Sequence, residues 1–259
     1  MSGSVATAQA GTPTDRRRAT GQAGRGLTGN TSVSVRTNVS SCSAAGKLAA
    51  MSDPGSPALH VAILAAGPST RFGSPKQLIR IGGTPVLHWA VSNAARAAGP
   101  SVTVVLGAHA AEIAPSLRRS GASVLLNPGW REGLASSVRA AVRTAPPGCE
   151  GLLLMLADQV EVSAEDLRRL AAAWRRDIRM LCAALYDGTP GLPAVFPAWA
   201  FQDLQGLRGE ADPRLVLRRH SDRLARIPMP SAATDVDTPE DLLEVGSRST
   251  DRGEQPPDL

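Results

Sequence analysis

Short, continuous apolar runs alternate along this chain with segments of helical period, and that alternation limits the fold more than any other feature. His60–Ala65 (HVAILA), Val102–Leu106 (VTVVL), Ser123–Leu126 and Gly151–Ala157 (GLLLMLA) read as strands. Met180–Tyr186 and Ala194–Phe196 read as further ones. Helices are predicted between them at Pro85–Ala98, Ala110–Arg119 and Leu134–Thr144. A further helix follows Ser163, which stands as its N-cap with Asp166 three residues on and Leu167, Leu170, Ala171 and Trp174 on one face. Strands apolar on both faces, separated by amphipathic helices, predict an α/β fold: one Rossmann-like domain with a mostly parallel sheet and helices on both faces. Aromatic residues are only 3% of the chain, so Ala, Leu, Val and Ile must fill that core.

The net charge of +5 suggests nucleic acid until it is located. Six of the 28 basic residues but only one of the 23 acidic ones (Asp15) lie within residues 1–50, which leaves the remainder balanced. A nucleic-acid partner thereby loses its electrostatic support. Residues 1–57 are rich in Gly, Ser, Thr and Ala and are expected to be disordered, with Met51 as an alternative start. The domain is expected over 58–246, followed by a disordered tail at 247–259. Arg16–Arg18 are followed by a polar, Gly-rich stretch without the apolar region of an export signal. No run of 18 apolar residues predicts a membrane span. Cys42, Cys149 and Cys182 are sparse, odd in number and lack metal-ligand spacing, which points to reduced thiols in a cytoplasmic compartment.

Chemistry concentrates in Leu64–Leu78 (LAAGPSTRFGSPKQL), directly after the first strand. In parallel α/β sheets, ligands bind beyond the carboxyl ends of the strands, where this turn would lie. Gly67 and Gly73 let backbone N–H groups approach phosphate oxygens, while Arg71 and Lys76 bring positive charge. Five residues separate the two glycines and Lys76 comes three after the second, which excludes a Walker A loop; the Rossmann fingerprint is also absent. Asp158 follows the most apolar strand, where a carboxylate must meet solvent, a strand-end cap role or a cation. Thr238 and Pro239 suffice to start a helix, so Asp237 is not needed for the cap. Ser136 and Ser137 fit simple polarity at a helix start, Trp130 fits packing as well as stacking, and His109 and His220 read as surface residues without an acid partner.

The turn resembles the signature L-x-G-G/A-x-S-x-R-M/F-G-x-x-K of the molybdenum-cofactor nucleotidyltransferases and related sugar-phosphate nucleotidyltransferases. Three more stretches follow in the family's order: Asn127–Val138 (NPGWREGLASSV), Leu156–Gln159 (LADQ) and Thr234–Leu242 (TDVDTPEDL). The likeness spans about residues 60–245.

It implies an NTP transferase domain that uses Mg²⁺ to move a nucleoside monophosphate onto an acceptor phosphate. On the same resemblance, Lys76 and Arg71 are catalytic. Leu64, Ala65, Ala66, Gly67, Ser69, Thr70, Gly73, Gly133 and Ser137 bind nucleotide, and Asp158 and Asp237 hold metal. Leu64-Ala65-Ala66-Gly67 is similar to the cytidylyltransferase form of the loop, which implies CTP and a molybdopterin-type acceptor, with a molybdoenzyme as candidate partner.

Departures from the pattern leave alternatives open. Val160 replaces a proline, and Leu192 stands where a polar residue is common. Gly209–Arg214, expected on the acceptor side, follows G-D-x-G-A-R only loosely. A sugar or polyol phosphate acceptor, GTP-dependent guanylyl transfer, and a cofactor-carrying maturation factor all remain open at this point.

Overall fold

A computed structural model describes residues 57–70, 72–99 and 101–234 of the chain. Its strands, in chain order, are β1 (Leu59–Ala65), β2 (Arg80–Ile81), β3 (Thr84–Pro85), β4 (Val102–Leu106), β5 (Ser123–Leu126), β6 (Gly151–Leu156), β7 (Leu181–Tyr186), β8 (Thr189–Pro197) and β9 (Leu224–Pro228). The α-helices are α1 (Val86–Ala98), α2 (Ala110–Ile113), α3 (Leu134–Arg143), α4 (Ala164–Arg176), α5 (Phe201–Gly206) and α6 (Arg214–Arg219). Seven strands form one sheet in the order β5-β4-β1-β6-β8-β7-β9, and β2 and β3 make a small antiparallel pair. β1 runs parallel to β4 and β6, β4 to β5, and β7 to β9; β8 is antiparallel to both its neighbours. The sheet is mostly parallel, with helices on both faces.

The two-residue period of the strands divides their side chains between two cores. Val61 and Ile63 of β1, Leu153 and Met155 of β6 pack with Leu87 of α1 and Leu167, Leu170 and Trp174 of α4. Ala62 and Leu64, Leu152 and Leu154 pack on the other face with Val138 of α3 and Leu204 of α5. Every residue of β1 is buried. The α4 start is a capping box: Ser163 Oγ accepts from Asp166 N at 3.1 Å, and Asp166 Oδ2 accepts from Ser163 N at 3.1 Å. Such caps stabilise by about 1 kcal/mol.

Four differences from the sequence reading have physical causes. The segment Ala110–Arg119 is one α-helical turn followed by a 3₁₀ stretch, because Pro115 has no amide hydrogen to continue the α ladder. β5 is an edge strand with Val124 39% and Leu126 61% exposed, so its apolar run is not doubly buried. β8 extends well beyond Ala194–Phe196; Pro190, Pro193 and Pro197 mask it in sequence. β9 has no apolar run at all, being an edge strand whose burial alternates. Residues 1–56, including Met51, and the tail at 247–259 lie outside the described residues.

Candidate nucleotide-binding cleft

β1 ends at Ala65, and the chain turns over the strand tips before a 3₁₀ turn at Lys76–Leu78. Gln77, 2% exposed, fastens this turn from inside: its Nε2 donates to Ala65 O at 3.0 Å and lies 3.5 Å from Gly67 O. Ser69 adopts the left-handed conformation (φ 51°), its Oγ accepts from Lys76 N at 3.2 Å, and its carbonyl accepts from Phe72 N at 3.0 Å. A Cβ on Gly67 would meet nothing within 4 Å, because that residue opens on the cleft.

Asp158 leaves the tip of β6, next to β1 in the sheet, and its carboxylate Oδ2 accepts a hydrogen bond from Lys76 Nζ. The side chains of Lys76 and Asp158 are 20% and 15% exposed. The second oxygen, Oδ1, is buried and has no hydrogen-bond partner among the described residues. A buried, unsatisfied carboxylate oxygen is costly unless a cation or donor meets it. No group of three His, Cys, Asp or Glu side chains among the described residues is arranged to hold a metal. A cation at Asp158 would draw further oxygen ligands, as Mg²⁺ does.

The other wall is built after β5. Asn127, 6% exposed, donates from Nδ2 to Ser136 Oγ (2.9 Å) and Ser137 Oγ (3.1 Å), and its Oδ1 accepts from Gly129 N (3.1 Å). Gly133 has φ 114°, and a Cβ there would lie 2.6 Å from Gly209 O and 2.7 Å from Glu210 Oε1. Gly209 is held on both sides, since its carbonyl accepts from Ala135 N at 3.1 Å and its amide donates to Glu132 Oε1 at 3.2 Å. The Arg139 hydrogen bond to Glu132 keeps that carboxyl below the usual range. At the tip of β4, a Cβ on Gly107 would come within 2.5 Å of Trp130 Cβ and 2.8 Å of Ala66 Cβ, so only glycine fits between those two side chains. Arg131 covers the Trp130 ring at 4.5 Å.

The resulting cleft has a volume of about 530 Å³. Leu64, Ala65, Ala66, Gly67, Lys76, Gly133, Ser137 and Asp158 all line it. Ser69, Thr70 and Gly73 belong to the turn but do not line the cleft, and Arg71 and Asp237 lie outside the described residues. Sequence reasoning missed Gln77, Gly107 and Glu210. For Gly107 a signal existed, a glycine directly after a buried strand; the position of Glu210 depends on packing between remote segments. Gly209 and Glu210, expected on the acceptor side, sit against Gly133 instead, whereas Arg214 reaches the Tyr186 hydroxyl at 2.7 Å.

The two histidines also need correction. His220 Nε2 lies 2.8 Å from Asp203 Oδ2, and that contact, with Arg219, holds the Asp203 carboxyl below the usual range. His109 Nδ1 lies 3.1 Å from Glu112 Oε1. Both have acid partners, and neither lines the cleft.

A mostly parallel α/β sheet with a stitched turn after its first strand, whose lysine meets a carboxylate at the tip of the neighbouring strand, is the plan of a nucleotidyltransferase. Residues 61–224 match the MobA-like NTP transferase domain family, and the chain belongs to it. It is 33% identical over 143 residues to "Bifunctional protein GlmU" of Sorangium cellulosum (strain So ce56), covering 51% of this chain and 30% of that protein. The likeness therefore reaches less than a third of that relative's length.

Among solved structures, Rv0371c from Mycobacterium tuberculosis H37Rv is 27% identical with a TM-score of 0.63, covering 74% of this chain and 99% of that one. A complex of Rv0371c with manganese is also similar, with 26% identity and a TM-score of 0.60 over 73% of this chain and 98% of that one. A nucleotidyl transferase from Methanothermobacter thermautotroptrophicus shares the fold, with 22% identity and a TM-score of 0.66 over 76% and 99% of the two chains. Among the described residues, no helix is long and apolar enough to cross a membrane.

Proposed function

We propose that this nucleotidyltransferase moves CMP from CTP to the phosphate of a molybdopterin-type acceptor and releases pyrophosphate. The observation that carries the reading is Lys76 and Asp158 meeting beneath one backbone turn, in a cleft with room for a nucleotide. An acceptor phosphate oxygen forms a bond to the α-phosphorus as the bond from that phosphorus to the β-bridging oxygen breaks. Both reactants are anions, so the reaction needs positive charge and in-line placement more than a strong base. Lys76 is the side chain that would meet the charge building on the leaving pyrophosphate, assisted by Arg71. Backbone groups of Ala65 to Gly67 would hold the triphosphate.

Mg²⁺ fits the unsatisfied Asp158 oxygen, with Asp237 as a second ligand, and when bound it supplies charge neutralisation on the phosphates. A manganese complex of the similar Rv0371c supports a divalent cation here. The preference for CTP rests on Ala66, whose methyl stands in the cleft wall and narrows it against a purine. One methyl separates ligands by about 1–3 kcal/mol.

The test is pyrophosphate release with Mg²⁺, molybdopterin and each NTP in turn. Release only with CTP and molybdopterin together is expected. Release with GTP would shift the nucleotide assignment. Release with sugar phosphates in place of molybdopterin would overturn the acceptor, and tight pterin binding without turnover would identify a carrier instead.

A further inference from the structure

We infer that Glu210 reads the nucleobase, accepting a hydrogen bond from the exocyclic amino group of cytosine and thereby selecting CTP over UTP. The inference rests on the reading of this cleft as the NTP site. Its basis is the direction that the sheet imposes on a bound nucleotide. The strands run β5-β4-β1-β6, and Trp130 packs against Gly107 at the tip of β4, so the wall carrying Trp130–Gly133 stands about two strand spacings from Asp158 at the tip of β6. At about 4.8 Å per spacing this is roughly 10 Å, within the reach from a nucleobase to its phosphates. Lys76 and Asp158 fix the phosphate end beside β1 and β6, so the base falls toward the wall built by Trp130–Gly133.

Glu210 stands against Gly133 at the N-terminus of α3, where only the missing Cβ leaves space for its carboxylate. A helix N-terminus would otherwise attract phosphate, and a carboxylate placed there repels one and accepts from donors. The turn carrying Glu210 is fastened without its side chain, through Gly209 O, Gly209 N and the Ala211 N bond to Arg208 O at 3.1 Å. The carboxylate is thus held in place and left able to bind. Cytosine presents an amino donor where uracil presents a carbonyl oxygen, and a carboxylate accepts from the first and repels the second. Ribose hydroxyls are donors too, but CTP and UTP share them, so the ratio between the two isolates the base.

The experiment is titration calorimetry of CTP and UTP, with Mg²⁺, against the full chain and Glu210→Gln. The wild-type protein is expected to bind CTP about tenfold more tightly than UTP, as one good contact to a base edge provides. A glutamine amide can turn either its oxygen or its nitrogen to the base, so Glu210→Gln should reduce the preference below about twofold while still binding CTP. A wild-type ratio near one, or a variant that keeps the full preference, overturns the inference; the second result would leave Glu210 only a counter-charge to α3. If the wild-type protein binds neither nucleotide, the reading of the cleft itself fails.

Discussion

Lys76 and Asp158, 82 positions apart in sequence, form an ion pair at the floor of the cleft. The lysine neutralises one carboxylate oxygen, while the other is buried and has no hydrogen-bond partner among the described residues. The pair has to open for the proposed reaction, because phosphate and cation compete for the two groups.

Lys76→Ala is expected to lower kcat for pyrophosphate release by about 100-fold or more, the usual loss when one preorganised donor to a developing anion is removed. The urea midpoint should move little, because the lost pair is partly exposed. Turnover above about half of the wild-type rate would eliminate Lys76 from the chemistry.

Asp158→Asn keeps the shape of the side chain but removes its charge. The Mg²⁺ concentration giving half-maximal activity should rise at least about tenfold, in line with losses seen when metal sites are disturbed. EDTA should abolish wild-type turnover, and added Mg²⁺ should restore it. An unchanged Mg²⁺ titration in the variant would place the cation elsewhere.

The fold was legible because β1, β4 and β6 are buried on both faces and carry unbroken apolar runs, a signal independent of distant contacts. β9 escaped because an edge strand need bury only alternate residues, and β8 was read only over Ala194–Phe196 because its prolines disguise the rest. In the cleft, Gly67, Lys76 and Asp158 were readable from local order: Gly67 and Asp158 each follow a strand closely, and Lys76 closes the glycine-bearing turn after β1. Glu210 was not, because its position depends on Gly209 docking between Glu132 and Ala135, a relation without a local signature. Gln77 is similar, since only the folded turn shows that its amide points inward.

Two glycines of the cleft should separate stability from binding. Gly133→Ala combines a left-handed φ with contacts under 3 Å to Gly209 O and Glu210. A cost of about 1–3 kcal/mol is expected in urea unfolding. Gly67→Ala meets nothing within 4 Å and should leave the midpoint within about 0.5 kcal/mol. Its methyl enters the cleft, so nucleotide affinity should fall. Equal stability of the two variants would contradict the geometry at Gly133.

Acid should destabilise the fold through His60. The ring is 5% exposed, with Nδ1 2.7 Å from Ser101 Oγ and Nε2 3.1 Å from Thr103 Oγ1. Burial pushes its pKa below the ordinary histidine value. The unfolded chain therefore takes up a proton near pH 6.5 while the folded chain does not, so stability is fully present above that pH and declines as pH falls toward the folded value. His88 shifts in the same direction, chiefly by burial and then by the Arg80 charge, and contributes a parallel loss. Urea unfolding at a series of pH values from 7.5 to about 5 should show free energy falling with acid, and His60→Gln should flatten the slope without abolishing it. A variant with the wild-type slope would mean that His60 protonates equally in both states, contrary to its burial between β1 and β4.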